Sequence, residues 1–234
     1  VSTRVIKSIK GRRIRLTQLD NCGTPVDVSD GCGTVVSDGF ISVTLSGQYV
    51  TGQQFQARDI FGTLCVNDSD PDQLVSVSVS IELCEVHPDV LSIILGEQPV
   101  LVSGEAEGFS FGSQRNWSSF ALEVWTKAVG ESCDGRWGYF VVPYCRNGKL
   151  DGGVTINNGT LTVTCAASAQ PATAAWGTGP YLSNPFPASF PAGDLWGIST
   201  TTVQPPAVVD LSLCPDRLLE GGVFWIDAEL SATL

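Results

Sequence analysis

The chain has 234 residues, long enough for one large domain with a sizeable core. Apolar residues at 43% and charged residues at 16% exclude an intrinsically disordered chain. The formal net charge of −11 excludes a nucleic-acid binder that works through a basic body, because an acidic body repels a polyanion.

The charge is unevenly spread. Arg4, Lys7, Lys10, Arg12, Arg13 and Arg15 supply six of the 13 basic residues, whereas the chain from Asn21 onward holds seven basic and 23 acidic residues. Val5, Ile9, Ile14 and Leu16 are interspersed with those charges. The opening segment therefore reads either as an edge strand guarded by Lys and Arg or as a strand or arm that docks on an acidic neighbour. The docking reading is preferred; DNA binding by the arm is disfavoured, because six basic groups would make it sticky and salt-dependent. No run of about 20 apolar residues occurs, so no helix is expected to span a membrane, and no secretory signal is visible.

Val35 to Ser46 predicts one strand, with Ile41, Val43 and Leu45 opposing Ser42, Thr44 and Ser46. Gln48 to Val66 predicts a long hairpin or excursion around Gly52 and Gly62. Asn67 to Asp72 places carboxylates at every second position, as calcium loops do. It lacks the glycine and bidentate glutamate of such a loop, so the aspartates read as turn residues that bond their own backbone. Gln73 to Val86 is the clearest strand: Val75, Val77, Val79, Ile81 and Leu83 form one face, and Ser76, Ser78, Ser80, Glu82 and Cys84 the other. Small hydroxyls on a long strand face suit a wetted wall, a snug subunit contact or a plain solvent-facing sheet.

Pro88 opens a short helix through Leu95, ended by Gly96, with His87 in a structural role at its start. Strands follow near Val100–Val102, Phe109–Phe111, Phe120–Thr126, Gly138–Arg146, Val154–Ile156 and Leu161–Ala167. Asn147-Gly148 and Asn158-Gly159 are turn signals. In Phe120–Tyr144 both faces of the second strand carry apolar or aromatic groups, which demands cover on both sides, inside one chain or between chains. Gln170 to Pro206 reads as a long ordered loop or arm anchored by Trp176, Tyr181, Phe186, Phe190 and Trp196. Val223 to Leu230 closes the chain as a strand, with Asp227 and Glu229 on its polar face. Many short strands with one helix predict a mainly β fold, a sandwich or barrel with long loops and a single domain over 1–234, without an internal repeat.

No catalytic, cofactor or metal site is expected. Gly108-Phe-Ser-Phe-Gly112 matches the spacing of a nucleophile elbow, but the only histidine, His87, precedes the serine and the context reads as strand. Nucleotide-binding glycine motifs are absent. The eight cysteines allow 105 full pairings, and Cys22 and Cys32, bracketing a Gly/Asp/Pro loop, are the pair to test first. Cys165 shares a strand face with Leu161 and Val163 and reads as a buried free thiol. With no C-x-x-C and one histidine, zinc has no support.

Several stretches occur together in a telling order: TRVIKSIKGRRIRLTQLDNCGTP, CGTVVSDGFISVTLS, LCVNDSDPDQL, FALEVWT, WGYFVVPY and WGTGPY. In this order they resemble the major tail (tail tube) proteins of long-tailed, siphovirus-type phages of actinobacteria. That resemblance implies a tail-tube-like β-sandwich or barrel that self-assembles into stacked hexameric rings. It implies passage of double-stranded DNA through the tube, with the tape measure protein and other tail proteins as partners. The location implied is the virion, with assembly in the host bacterial cytoplasm, and no enzymatic role. Glu82, Asp227 and Glu229, on polar faces of strands, are candidates for the lumen. Arg4, Lys7, Arg12, Arg13, Trp176, Tyr181 and Trp196 are candidates for subunit contacts, and Gln48–Val66 and Gln170–Pro206 for bridges between rings. The alternative is a secreted, disulfide-stapled β-sandwich that binds a ligand or a surface. Its support is the eight cysteines, the sequons at Asn67, Asn116 and Asn158, and the aromatic loop.

Overall fold

A computed structural model describes residues 8–26, 33–85, 87–97, 99–102, 105–110, 118–128, 135–156, 161–171 and 192–209. In chain order the strands are β1 (Ser8–Gln18), β2 (Thr34–Ser37), β3 (Phe40–Val50), β4 (Gln54–Arg58), β5 (Leu64–Ser69) and β6 (Gln73–Leu83). The helix α1 (Pro88–Leu95) follows. The remaining strands are β7 (Pro99–Val102), β8 (Glu105–Phe109), β9 (Ser119–Ala128), β10 (Trp137–Ile156), β11 (Leu161–Ala169) and β12 (Gly197–Thr201). The fold is mainly β, and among the described residues every strand pairing is antiparallel.

One large sheet runs in the order β2-β1-β9-β10-β11-β6-β3, with β12 also on β10. Its hinge is β10, a 20-residue strand. The first part of β10, from Trp137 to Arg146, pairs with β9, and Trp137–Val141 also pairs with β12. The second part, from Cys145 to Ile156, pairs with β11. Register shifts fall between Arg146 and Lys149 and between Leu150 and Val154. Bulges of this kind bend a strand and raise its twist. The sheet therefore folds over itself, and the two halves share one core. Ile14, Leu16, Phe120, Leu122 and Val142 come from one half, and Val77, Val79, Ile81, Val163 and Cys165 from the other.

The helix joins that core through Val90, Leu91, Ile93, Ile94 and Leu95. It begins and ends where Pro88 and Gly96 predict. His87 caps it, with Nδ1 accepting from the Asp89 amide at 3.4 Å, and Gly96 closes it in the left-handed conformation. The helix end lies directly on β10, where a Cβ at Gly148 would come within 1.6 Å of the Ile94 carbonyl oxygen. Asn147-Gly148 is accordingly not a turn. It sits inside β10, where Asn147 takes φ 58° at the crease.

Three further expectations change. Val35–Ser46 is two strands, split at Asp38-Gly39, so one apolar run feeds β2 beside β1 and β3 beside β6. The Gly39 carbonyl accepts from the amides of Cys84 and Glu85, which anchors the split to the end of β6. The basic segment, over Ser8–Gln18, is no edge strand: β1 lies between β2 and β9, and a polar pattern hides its interior place because Arg15 is itself buried. The segment Gln170–Pro206 contains β12 on β10 as well as loop. Val223–Leu230 and Asn158-Gly159 lie outside the described residues, although Ile156 pairs with Leu161 on either side of the latter.

The double-faced β9–β10 pair finds its cover within one copy. Phe120, Leu122 and Val124 face the main core, while Trp125, Tyr139 and Val141 form a second buried cluster on the opposite face. On that second face Arg15 makes a two-pronged ion pair with Glu123, at 2.6 and 2.7 Å. Tyr139 donates its hydroxyl to the same carboxylate, and the Arg15 guanidinium stacks 5.1 Å from the Trp125 ring. A charge this deep is tolerated only when paired and hydrogen-bonded.

Candidate assembly surface

Among the described residues, the most exposed apolar part is an arm. Strands β3 and β6 pair to their ends, at Val50 opposite Gln73, and the hairpin β4–β5 continues beyond them. Apart from Gly52, residues 46–51 and 53–75 are all exposed. They include Tyr49, Val50, Phe55, Leu64, Val66 and Val75, with Ile60 at 92% and Phe61 at 86% exposure at the tip. Large exposed apolar patches are characteristic of interaction surfaces, which makes the arm the candidate. The excursion expected at Gln48–Val66 is present, and β5 carries it on to Ser69.

The tip is firmly built. The Asp59 side chain accepts from the amides of Phe61 (2.9 Å) and Thr63 (2.8 Å), the Asp59 amide donates to the Thr63 carbonyl (2.9 Å), and Gly62 donates to the Asp59 carbonyl (3.0 Å). The turn at Asp20 repeats this bond for bond, with Cys22 and Thr24 in place of Phe61 and Thr63, both at 2.8 Å. Both turns set a glycine at positive φ, Gly23 at 83° and Gly62 at 82°, which only glycine adopts freely. The repeat is visible afterwards in the sequence as Asp-Asn-Cys-Gly-Thr and Asp-Ile-Phe-Gly-Thr. Two five-residue segments that agree only at Asp, Gly and Thr are too short to register as a repeat.

Beside the arm, β3 ends the large sheet. Among the described residues it pairs only with β6, leaving one line of backbone donors and acceptors available for another strand. The outer face of this half is paved with hydroxyls. Register sets Ser42, Thr44 and Ser46 opposite Glu82, Ser80 and Ser78, with Thr164 and Ser168 opposite Glu82 and Ser78 on the far side. Glu82, the lumen candidate that the structure describes, is half-buried in this pavement and accepts from Ser42 Oγ at 3.1 Å. A shallow depression of about 420 Å³ on the same face is bordered by Gln48, Ser76, Ser78, Lys149 and Asp151.

A second, apolar hollow of about 470 Å³ lies between the start of β3 and the strands β9, β10 and β12. Phe40, Val43, Leu45, Phe140, Trp196 and Ile198 line it. Trp196, expected at a subunit contact, is thus on its wall at 37% exposure. Of the basic candidates, Arg12 is exposed and Arg13 pairs with Asp38 in the same chain. Arg4, Lys7, Trp176, Tyr181, Asp227 and Glu229 lie outside the described residues, as does Cys32; Cys22 is exposed at the apex of its turn.

The sites weighed for chemistry are placed otherwise. Ser110 follows β8, the second strand of a two-stranded hairpin, where an elbow needs a strand of an α/β sheet. Asn67, Asp68 and Ser69 belong to β5 and not to a turn as expected; Asp68 accepts from the Ser69 amide and Asp72, beyond the strand, from the Gly52 amide, both at 3.0 Å. Among the described residues no three His, Cys, Asp or Glu side chains are gathered as a metal site. Cys145 and Cys165 are buried free thiols in the core. Burial raises both thiol pKa values, that of Cys165 to about 12.

No protein-family model matches the chain, and a search of curated proteins finds no match.

Proposed function

We propose that this chain is a structural subunit that assembles with its own copies into stacked hexameric rings, forming a phage tail tube through which genomic DNA passes. The observation that carries the reading is the open edge of β3 running straight into an exposed, apolar, well-fastened arm. Among the described residues the 11-residue strand β3 has one unpaired edge; such an edge invites pairing, and a closed ring of subunits removes it. The arm supplies apolar area for contact with the next ring. Obligate contacts of this kind typically bury more than about 2,000 Å².

The hydroxyl-paved outer face, carrying Glu82, is the natural wall of the conduit. It offers hydrogen bonding to water and little positive charge, and the net charge of −11 keeps a polyanion from adhering. Screening over roughly 8 Å at physiological salt leaves that repulsion effective in a narrow bore. The tape measure protein and other tail proteins would be its partners in the virion, with assembly in the bacterial cytoplasm. Free thiols support the reducing compartment over the secreted, disulfide-stapled alternative: Cys65 and Cys84 are exposed and unbridged, and Cys145 and Cys165 are buried and unbridged.

Negative-stain microscopy of purified protein, with and without a tail initiator fraction, tests the reading. Six-fold rings or tubes are the expected result. A dispersed monomer under both conditions at high concentration would sink it.

A further inference from the structure

The tip of the arm and the hollow beneath β3 are both apolar, both open, and on different parts of the same chain. We propose that Ile60 and Phe61 of one copy insert into the hollow lined by Phe40, Val43, Leu45, Phe140, Trp196 and Ile198 of the next. The inference deepens the self-assembly reading above and depends on it.

Three observations carry it. First, the tip does not fill its own hollow, since Ile60 and Phe61 are 92% and 86% exposed. The hollow lies at the start of β3 and the arm leaves from its end, about 33 Å away along an extended strand of this length. Second, the turn has no need of apolar residues at those positions. The turn at Asp20 makes the same hydrogen bonds with Asn21 and Cys22 in their place. Third, the hollow of about 470 Å³ falls within the range that encloses small ligands, ample for one isoleucine and one phenylalanine side chain.

A knob and a hollow on different surfaces make a head-to-tail contact, the kind that closes a ring or continues as a filament. The hydrogen-bonded turn presents the knob already in shape, which lowers the ordering cost of docking.

The test replaces Phe61 with the photo-reactive p-benzoylphenylalanine and mixes equal parts of nitrogen-15-labelled and unlabelled subunits. Under assembling conditions, irradiation should give cross-links between labelled and unlabelled peptides, joining position 61 to residues 40–45 or 196–198. In parallel, Phe61→Asp and Ile198→Arg should each raise the concentration needed for assembly roughly tenfold to a hundredfold, the effect of losing one buried aromatic or aliphatic anchor. The thermal midpoint of the isolated subunit should stay unchanged in Phe61→Asp. Rings or tubes whose cross-links map elsewhere, or that form equally well with Phe61→Asp, overturn this contact and leave self-assembly standing. Subunits that never associate overturn both.

Discussion

The β9–β10 pair and the arm at residues 48–75 are both rich in apolar and aromatic side chains, yet they end in opposite surroundings. In the first, Phe120, Trp125 and Tyr139 are at most 1% exposed, sealed on both faces of the sheet. In the second, Phe55, Ile60 and Phe61 stand in solvent on a hairpin held by the β4–β5 ladder and its tip hydrogen bonds. Local patterning does not separate the two. What does is the presence, inside one copy, of a surface to pack against. The core pair stabilises the fold, whereas the arm leaves its apolar area exposed, which the proposed assembly would use. Substitutions should therefore damage folding in one region and association in the other.

The widest contrast is in thiol chemistry. With its pKa raised to about 12 from 9.0, the Cys165 thiol holds roughly a thousandth of the usual thiolate near neutral pH. In native protein, Ellman's reagent should label Cys65 on the arm promptly and leave Cys145 and Cys165 silent until denaturant is added. Prompt labelling of Cys165 would show that the core breathes. Next, Glu123→Ala removes the carboxylate that pairs with the buried Arg15 guanidinium and should cost about 3–5 kcal/mol in urea unfolding. A loss below about 1 kcal/mol would mean that water reaches the pair.

Leu122→Ala opens the main core and should cost about 2–5 kcal/mol by the same measurement. Gly148→Ala drives a methyl against the Ile94 carbonyl and should cost about 1–3 kcal/mol, as overpacking does, with loss of helix signal in far-ultraviolet circular dichroism if α1 lifts. At the small end, Phe61→Ser should move subunit stability by no more than about 0.5 kcal/mol while weakening assembly. A large stability loss there would place the tip against its own body and erase the contrast.

Much of this architecture is legible in the sequence where the signal is local. The helix is readable because Pro88 and Gly96 mark its ends, and β6 because valine and serine alternate without interruption. The division of Val35–Ser46 is not, since Asp38-Gly39 interrupts the run without changing its alternation. Asn147-Gly148 misleads for a related reason: the pair favours positive φ, and a bulge under a helix uses that as readily as a hairpin does. Arg15 reads as one more surface charge because its partner, Glu123, lies 108 residues away. The site follows the same rule. The hydroxyl face of β6 is visible alone, but its continuation across β3 and β11 exists only once the registers are set. The hollow joins Phe40 to Trp196, a pairing that no periodicity carries.

The long separation between β1 and β9 also sets a clock. Ile14 pairs with Val124, so at translation speeds of about 5–20 residues per second the first strand waits roughly 5 to 20 seconds for its neighbour to be made. The β3–β6 ladder, closed by nearby residues, can form well before that, with its outer rim already on display. Each newborn chain thus passes through a period in which it is able to stick before it is properly finished, and cells that make many copies at once would need a chaperone, or dilution, to bridge the gap.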